Sequence, residues 1–282
     1  MLVHAHPDDE SSMTGATMTR YAGQGATVVL VTCTRGELGE IVAPDLAGLR
    51  EVDPDGLGVH REGELAEALA VLGTTRHHWL GGRGRWRDSG MPASEDPAAF
   101  ACADPREAVR AMVEILRAEC PQVVVTYDAH GGYGHPDHIQ ANRVTMAALD
   151  PAADPRFEPE LGAPWQVAKV YWMTFSRKMI QAAVDAGILS PTDLVPHSLP
   201  DEEITAVVDG RAYLDGKVKA LRAYRSQVDL RSGVFAFLIT VPEFAVESYV
   251  LVRGQGGPGS GPHNWEDDLF AGVAGPRVAG PG

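Results

Sequence analysis

The chain has 282 residues, 44% of them hydrophobic, and a formal net charge of −14. That is apolar material for one large domain or a domain with an appendage, and the negative balance argues against a nucleic-acid backbone or an anionic membrane as the main partner. No run approaches the roughly 18 apolar residues of a membrane span, and three scattered cysteines without a CxxC pair, Cys33, Cys102 and Cys120, point to reduced thiols in a cytoplasmic setting.

Met1 to Ala5 reads as the first strand, with no basic and apolar leader before it. It runs into His4-Ala5-His6-Pro7-Asp8-Asp9-Glu10, two imidazoles and three carboxylates in seven positions. A helix from Glu10 to Gly23 follows, and Pro7 suits its first turn, where a missing N–H costs nothing. His6 and Asp9 are three apart, close enough to hold one ion together. Asp8 then points elsewhere on the turn, where a general base belongs if it is to take a proton from water at a metal. Taken alone, the stretch also reads as an acidic helix cap with an incidental histidine.

Ala26 to Cys33 is an apolar, β-branched strand of the kind buried on both faces of a parallel sheet. Strand, helix and strand form a right-handed βαβ unit. The loop Thr34 to Glu40 carries two glycines but no GxGxxG, so dinucleotide binding is not expected. Glu37 and Glu40 either face a pocket at the strand ends or form a solvated acidic loop. After a loop-rich stretch, His60 to Leu72 reads as a helix with Arg61 in its first turn. A cation there opposes the helix dipole, which hints at binding a hydroxyl or phosphate, although a surface arginine is the simpler reading. Arg76 to Leu80 is a strand, and the glycine-rich loop after it contains Arg83, Arg85, Trp86, Arg87 and Asp88. Such a loop suits a polyhydroxyl ligand, with Trp86 offering a face to a sugar ring.

Pro105 to Ala118 is an amphipathic helix, with Val109, Met112, Val113 and Leu116 on one side. Pro121 to Thr126 is a buried strand. It leads into a second dense stretch, Tyr127-Asp128-Ala129-His130-Gly131-Gly132-Tyr133-Gly134-His135-Pro136-Asp137-His138, before a helix over Ile139 to Leu149. His135 and His138 repeat the spacing of three. Two His-Pro-Asp turns, each between a strand and a helix, are hard to explain as packing and mark a site.

Further on, 150–164 reads as a surface excursion, Trp165 to Phe175 as a strand and Ser176 to Ala186 as a helix. Loops with Pro191, Pro196 and Pro200 follow, then a helix over Asp215 to Tyr224 and β-like runs over Phe235 to Val241 and Phe244 to Arg253. Residues 254–262, mostly Gly and Pro, read as a linker or lid, Asn264 to Phe270 as a short docked helix, and the end as disordered. The expected fold is α/β, a Rossmann-like, mostly parallel sheet with helices on both faces. Residues 1–175 form the metal-binding core, and residues 176–282 form a smaller α+β region completing the substrate pocket.

Two imidazoles and a carboxylate with an open position suit catalytic Zn²⁺, and the same set can hold Fe²⁺. A free carboxylate beside the ligands favours hydrolysis over oxygen chemistry.

The His-Pro-Asp-Asp-Glu and His-Pro-Asp-His turns resemble those of the LmbE/PIG-L family of zinc-dependent de-N-acetylases. The Gly84-Arg85-Trp86-Arg87-Asp88 loop and Gly131-Gly132-Tyr133-Gly134 are similar to one branch, which removes acetate from N-acetylglucosaminyl-inositol in mycothiol biosynthesis. The resemblance implies that His6, Asp9 and His138 hold zinc and that Asp8 is general base and then proton donor. It implies that His135, oriented by Asp137, and Tyr133 meet the oxyanion or the leaving amine. It implies that Arg61, Asp88 and Glu40 bind substrate hydroxyls. One position departs from the family, which tends to carry His where this chain has Tyr224. A sister activity, cleavage of mycothiol S-conjugates, shares both turns, as do deacetylases of other N-acetyl sugars. The non-enzyme alternative is a sugar-binding metalloprotein, which has no use for Asp8.

Overall fold

The computed structural model describes residues 1–190 and 198–273. The loop around Pro191 and Pro196 and the chain beyond 273 lie outside the described residues. In chain order the elements are β1 (Leu2–His4), α1 (Asp9–Gly23), β2 (Val29–Thr32), α2 (Leu49–Val52), α3 (Gly56–Leu72), β3 (Arg76–Trp79), α4 (Pro105–Glu119) and β4 (Val123–Thr126). Then come α5 (Pro136–Ala153), β5 (Lys169–Thr174), α6 (Arg177–Asp185), β6 (Ala206–Asp209), α7 (Leu214–Ala223), α8 (Gly233–Leu238), β7 (Val246–Arg253), β8 (Gly259–Ser260) and β9 (Trp265–Glu266).

These strands form one sheet in the order β3-β2-β1-β4-β5-β7-β6-β9-β8. The first five are parallel to their neighbours, and β7 runs antiparallel to both β5 and β6. β2 and β4, VLVT and VVVT, are buried at every position, as a strand covered on both faces must be. Helices α1, α3 and α7 pack on one another, and α4 packs on α5. This is the Rossmann-like α/β fold with an antiparallel extension, and the strands after 176 continue the same sheet.

The chain leaves β1 for β2 on one side and returns to β4 on the other, so the strand order reverses between β1 and β4. Beyond the C-terminal ends of such a pair the connecting loops diverge and leave a crevice. Both His-Pro-Asp turns lie at this point, one after β1 and one after β4.

Three expectations give way. Phe235 to Val241 is not a strand; its first four residues belong to helix α8, because a short apolar run reads alike in either period. Asn264 to Phe270 is not a helix. Asn264 takes the left-handed conformation (φ 55°), and β9 pairs antiparallel with β8. The Gly/Pro stretch is therefore partly strand. Helix α3 begins at Gly56, four residues before His60, which places Arg61 in its second turn and buries it.

The tail is held by charge. Buried Glu266 accepts from Lys169 Nζ at 2.6 Å, from the Tyr171 hydroxyl at 2.7 Å and from the Gly257 N–H. Breaking a buried pair from one side leaves a charge without its partner. Glu266→Ala is expected to destabilise the protein by about 3–5 kcal/mol. Lys169→Met combined with Glu266→Leu should cost less than the single change. Denaturant midpoints of the three proteins check this.

Candidate metal centre

The site is built from two turns and the loop after β3. His6 lies just past β1, and Asp9 opens α1. His135 is the N-cap of α5, with Pro136 at the first helical position, so its ring and that of His138 project from one turn. Asp9 Oδ2 lies 3.4 Å from His6 Nδ1 and 3.4 Å from His138 Nε2. The ligand atoms of His6, His135 and His138 lie within 4.8 Å of one another, as do those of His6, Asp88, His135 and Asp137. All of these groups are buried.

Hydrogen bonds fix which ring nitrogens are free. His138 Nδ1 donates to the Gly131 carbonyl at 3.1 Å, which leaves its Nε2 lone pair facing Asp9, fully buried and without a partner. His6 Nε2 donates to Asp137 Oδ2 at 3.1 Å, which leaves Nδ1 toward Asp9. Each imidazole thus carries an outer partner that fixes its tautomer, as metal-ligating histidines do. Asp9 Oδ2 also accepts from the Tyr127 hydroxyl at 2.7 Å and the His6 N–H at 2.9 Å. An unpartnered buried nitrogen aimed at a carboxylate between two imidazoles fits a divalent cation.

Electrostatics agree. Burial alone lowers the His6 imidazole, but Asp88, Asp137 and Asp9 outweigh it and raise it well above its ordinary value. Burial raises Asp9, but His138 and His6 hold it well below the carboxylate range. The cluster is a place for positive charge.

Asp8 stands at the N-cap of α1 without capping it; φ is 107° and the side chain makes no cap bond. Its Oδ2 accepts from Arg61 Nη2 at 3.0 Å. Burial pushes the carboxyl up to about 7, against the lowering effect of Arg61. Arg61, expected as a surface or substrate-binding group, also donates to the carbonyls of Pro7 and Gly36; its Nε is the unpartnered donor. Gly36 makes room for this, since a Cβ there would lie 2.1 Å from Arg61 Nη1.

His135 Nδ1 accepts the Asp137 N–H at 3.2 Å, so its proton sits on Nε2. The Asp137 carboxylate does not orient His135, as the resemblance implied. It takes His6, Ser89 N–H (2.9 Å) and the Ser89 hydroxyl. Burial, then the neighbouring His6 and His138, lower His135 to about 4. Tyr133 stacks edge-on to His138 at 4.9 Å between ring centres, and burial raises its hydroxyl. The loop needs its glycines: at Gly131, φ is 69° and a Cβ would lie 2.7 Å from the Ile139 nitrogen.

Asp88 is buried 3.7 Å from His6 Nε2, with its oxygens accepting from Leu38 N–H and Gly90 N–H. Glu40 is exposed. Glu37 is instead buried, bonded to Arg35 and to the Asp88 N–H. Trp86 offers no sugar platform; it is 1% exposed and packs against Phe100. Tyr127 and Asp137 are outer partners of the ligand atoms that the spacing did not single out for that role. Tyr127 lies at the end of an apolar strand and reads there as core.

The chain matches the family described as GlcNAc-PI de-N-acetylase (PIG-L) over residues 1–149. Relatives span nearly its full length. It is 64% identical to 1D-myo-inositol 2-acetamido-2-deoxy-alpha-D-glucopyranoside deacetylase 2 of Saccharopolyspora erythraea, covering 97% of this chain and 100% of that one. It is 47% identical to the deacetylase of the same substrate from Geodermatophilus obscurus, covering 98% of each. Among solved structures, N,N'-diacetylchitobiose deacetylase from Pyrococcus horikoshii superposes with a TM-score of 0.64 at 20% identity, over 89% of this chain and 82% of that one. The 4-carboxy-2-hydroxymuconate hydratase of Pseudomonas putida superposes with 0.61 at 19%, over 92% and 98%. These likenesses show the fold alone. The chain belongs to the PIG-L family of de-N-acetylases.

Tyr127→Phe removes one of the hydrogen bonds that fix Asp9. It is expected to weaken divalent-ion binding about 10- to 100-fold, read by titrating the metal-stripped protein with zinc.

Proposed function

We propose that the protein is a cytoplasmic, zinc-dependent hydrolase that cleaves the N-acetyl amide of N-acetylglucosaminyl-inositol, releasing acetate and the free amine in mycothiol biosynthesis. The observation that carries the chemistry is the unpartnered, buried His138 Nε2 facing Asp9 and His6, with Asp8 as a carboxylate beside them. The substrate rests on the activity named for the near-full-length relatives. No helix among the described residues is long and apolar enough to cross a membrane, and the cysteines are unpaired, which accords with a reducing compartment.

His6, Asp9 and His138 would hold the zinc. When bound, the ion supplies Lewis acidity to the amide carbonyl and lowers the pKa of the attacking water. Asp8 accepts the water's proton and later delivers it to the departing nitrogen. Burial suits it to both roles, because its raised pKa lets it pick up and release a proton near neutrality. His135 Nε2–H and the Tyr133 hydroxyl donate to the oxyanion, each of order 3 kcal/mol in the transition state. Arg61 braces Asp8 from Nη2. Asp88 supports His6 and lines the sugar side.

Amine release from N-acetylglucosaminyl-inositol by zinc-loaded and metal-stripped protein tests the reading, with a bulky mycothiol S-conjugate as the competing substrate. Zinc-dependent release favouring the acetylated sugar is expected; preference for the conjugate would reassign the substrate, and no release from either would sink it. Asp8→Asn should retain zinc while kcat falls about 10²- to 10⁴-fold, measured by metal analysis alongside turnover. A protein that only binds sugar would be unchanged.

A further inference from the structure

The strain at Asp8 is held by groups outside the metal cluster. An aspartate preceding a helix ordinarily turns its carboxylate onto the first free N–H groups. At φ 107° Asp8 cannot, and that conformation is uncommon for any residue but glycine. Something must oppose its relaxation.

The Asp8 N–H is taken by Glu10 Oε2 at 3.0 Å. The acid at the second helical position reaches back to the cap residue's N–H, while the cap side chain makes no bond to the helix start. The absent cap bond leaves the Asp8 carboxylate to Arg61 Nη2, 3.0 Å away. Glu10 is fully buried, and its Oε1 accepts from the Tyr224 hydroxyl at 2.7 Å and the Ser11 hydroxyl at 2.5 Å. Tyr224 is itself fully buried, just past the end of α7 and 214 residues from Glu10. Its ring is locked in the core, so its hydroxyl is a fixed point. A buried carboxylate held by neutral donors is costly to maintain, and nothing in the packing of α1 needs one at this position.

We infer that Tyr224 and Glu10 are positioning residues for the reaction: the Tyr224 hydroxyl fixes the Glu10 carboxylate, which holds the Asp8 N–H and so keeps Asp8 at positive φ with its carboxylate turned to the reacting centre. The inference rests on Asp8 being the general base. Neither residue touches substrate or metal.

The test is a double-mutant cycle in the zinc-loaded protein: wild type, Tyr224→Phe, Asp8→Asn and the double variant, each measured for kcat, KM and bound zinc. Tyr224→Phe is expected to lower kcat about 10- to 100-fold, the cost of a misplaced catalytic group, with KM and zinc content unchanged. In the Asp8→Asn background it should cost nothing further, because two changes acting through one group do not add. Wild-type kcat in Tyr224→Phe, loss of zinc, or the same fold-loss in both backgrounds would each overturn the inference. If Tyr224→Phe keeps wild-type kcat while Asp8→Asn is inactive, the positioning role is wrong and the general base stands. If Asp8→Asn turns over like wild type, both fall. Should Tyr224→Phe not fold, Ser11→Ala loosens the same Glu10 carboxylate and is expected to show the same kcat-only loss.

Discussion

The constraint on which the structure depends is negative charge taken out of water. Asp9, Asp88 and Asp137 converge on His6, all of them buried, and Glu10 is buried beside them. Isolated carboxylates in such a place would cost far more than the fold's net stability, so each must be answered by donors or cations. Asp137 has Ser89 and His6; Asp88 has the N–H groups of Leu38 and Gly90; Glu10 has Tyr224, Ser11 and the Asp8 N–H. Asp9 has the Tyr127 hydroxyl and the His6 N–H, and beside it lies the unpartnered Nε2 of His138. That nitrogen, unpartnered among these carboxylates and imidazoles, fits a divalent cation.

That arrangement explains features that look like irregularities of the backbone. The positive φ of Asp8 keeps one carboxylate out of the ligand set, and Arg61 receives it. Arg61 can stand there only because Gly36 lacks a Cβ. The Gly131 carbonyl reaches His138 only because the loop turns through left-handed residues. Local strain is concentrated where side chains must converge and is countered by bonds from neighbouring elements.

Much of this was legible in the sequence because the chemistry is local. His6 with Asp9, and His135 with His138, are three residues apart, and a strand before each turn already placed both at a sheet edge. Gly-rich spacing announced the Tyr133 loop. What was not legible depends on contacts distant in sequence. Asp137 is two residues from His135, which the resemblance has it orient, but its carboxylate faces Ser89 and His6 across the crevice. Arg61 reads as a surface cation until α3 is seen to start at Gly56 and to bury it. Trp86, read as a sugar platform, is core because Gly81 and Phe100 close over it, and of the two acids on the loop after β2 Glu37 is buried while Glu40 is exposed. Phe235 to Val241 and Asn264 to Phe270 are short segments whose partners, not their own periodicity, decide their state.

The residues after 176 are distant from the metal turn in sequence, yet they determine where it sits. Glu247 of β7 accepts from the Ala16 and Thr17 N–H groups of α1 and is neutralised by buried Lys217 at 2.6 Å. Tyr249 joins Thr17 at 2.6 Å. Tyr21, near the far end of α1, donates to Asp268 and accepts from the Leu269 N–H, which ties the helix to the tail. With Tyr224 on Glu10, α1 is gripped along its length by the antiparallel half of the sheet and the elements packed on it. A helix held this way cannot slide or rotate independently, and the turn at its start, with Asp8 and Asp9, is fixed with it. The parallel half of the sheet supplies the crevice and the two His-Pro-Asp turns. The antiparallel half supplies the rigidity that side chains converging on one site require.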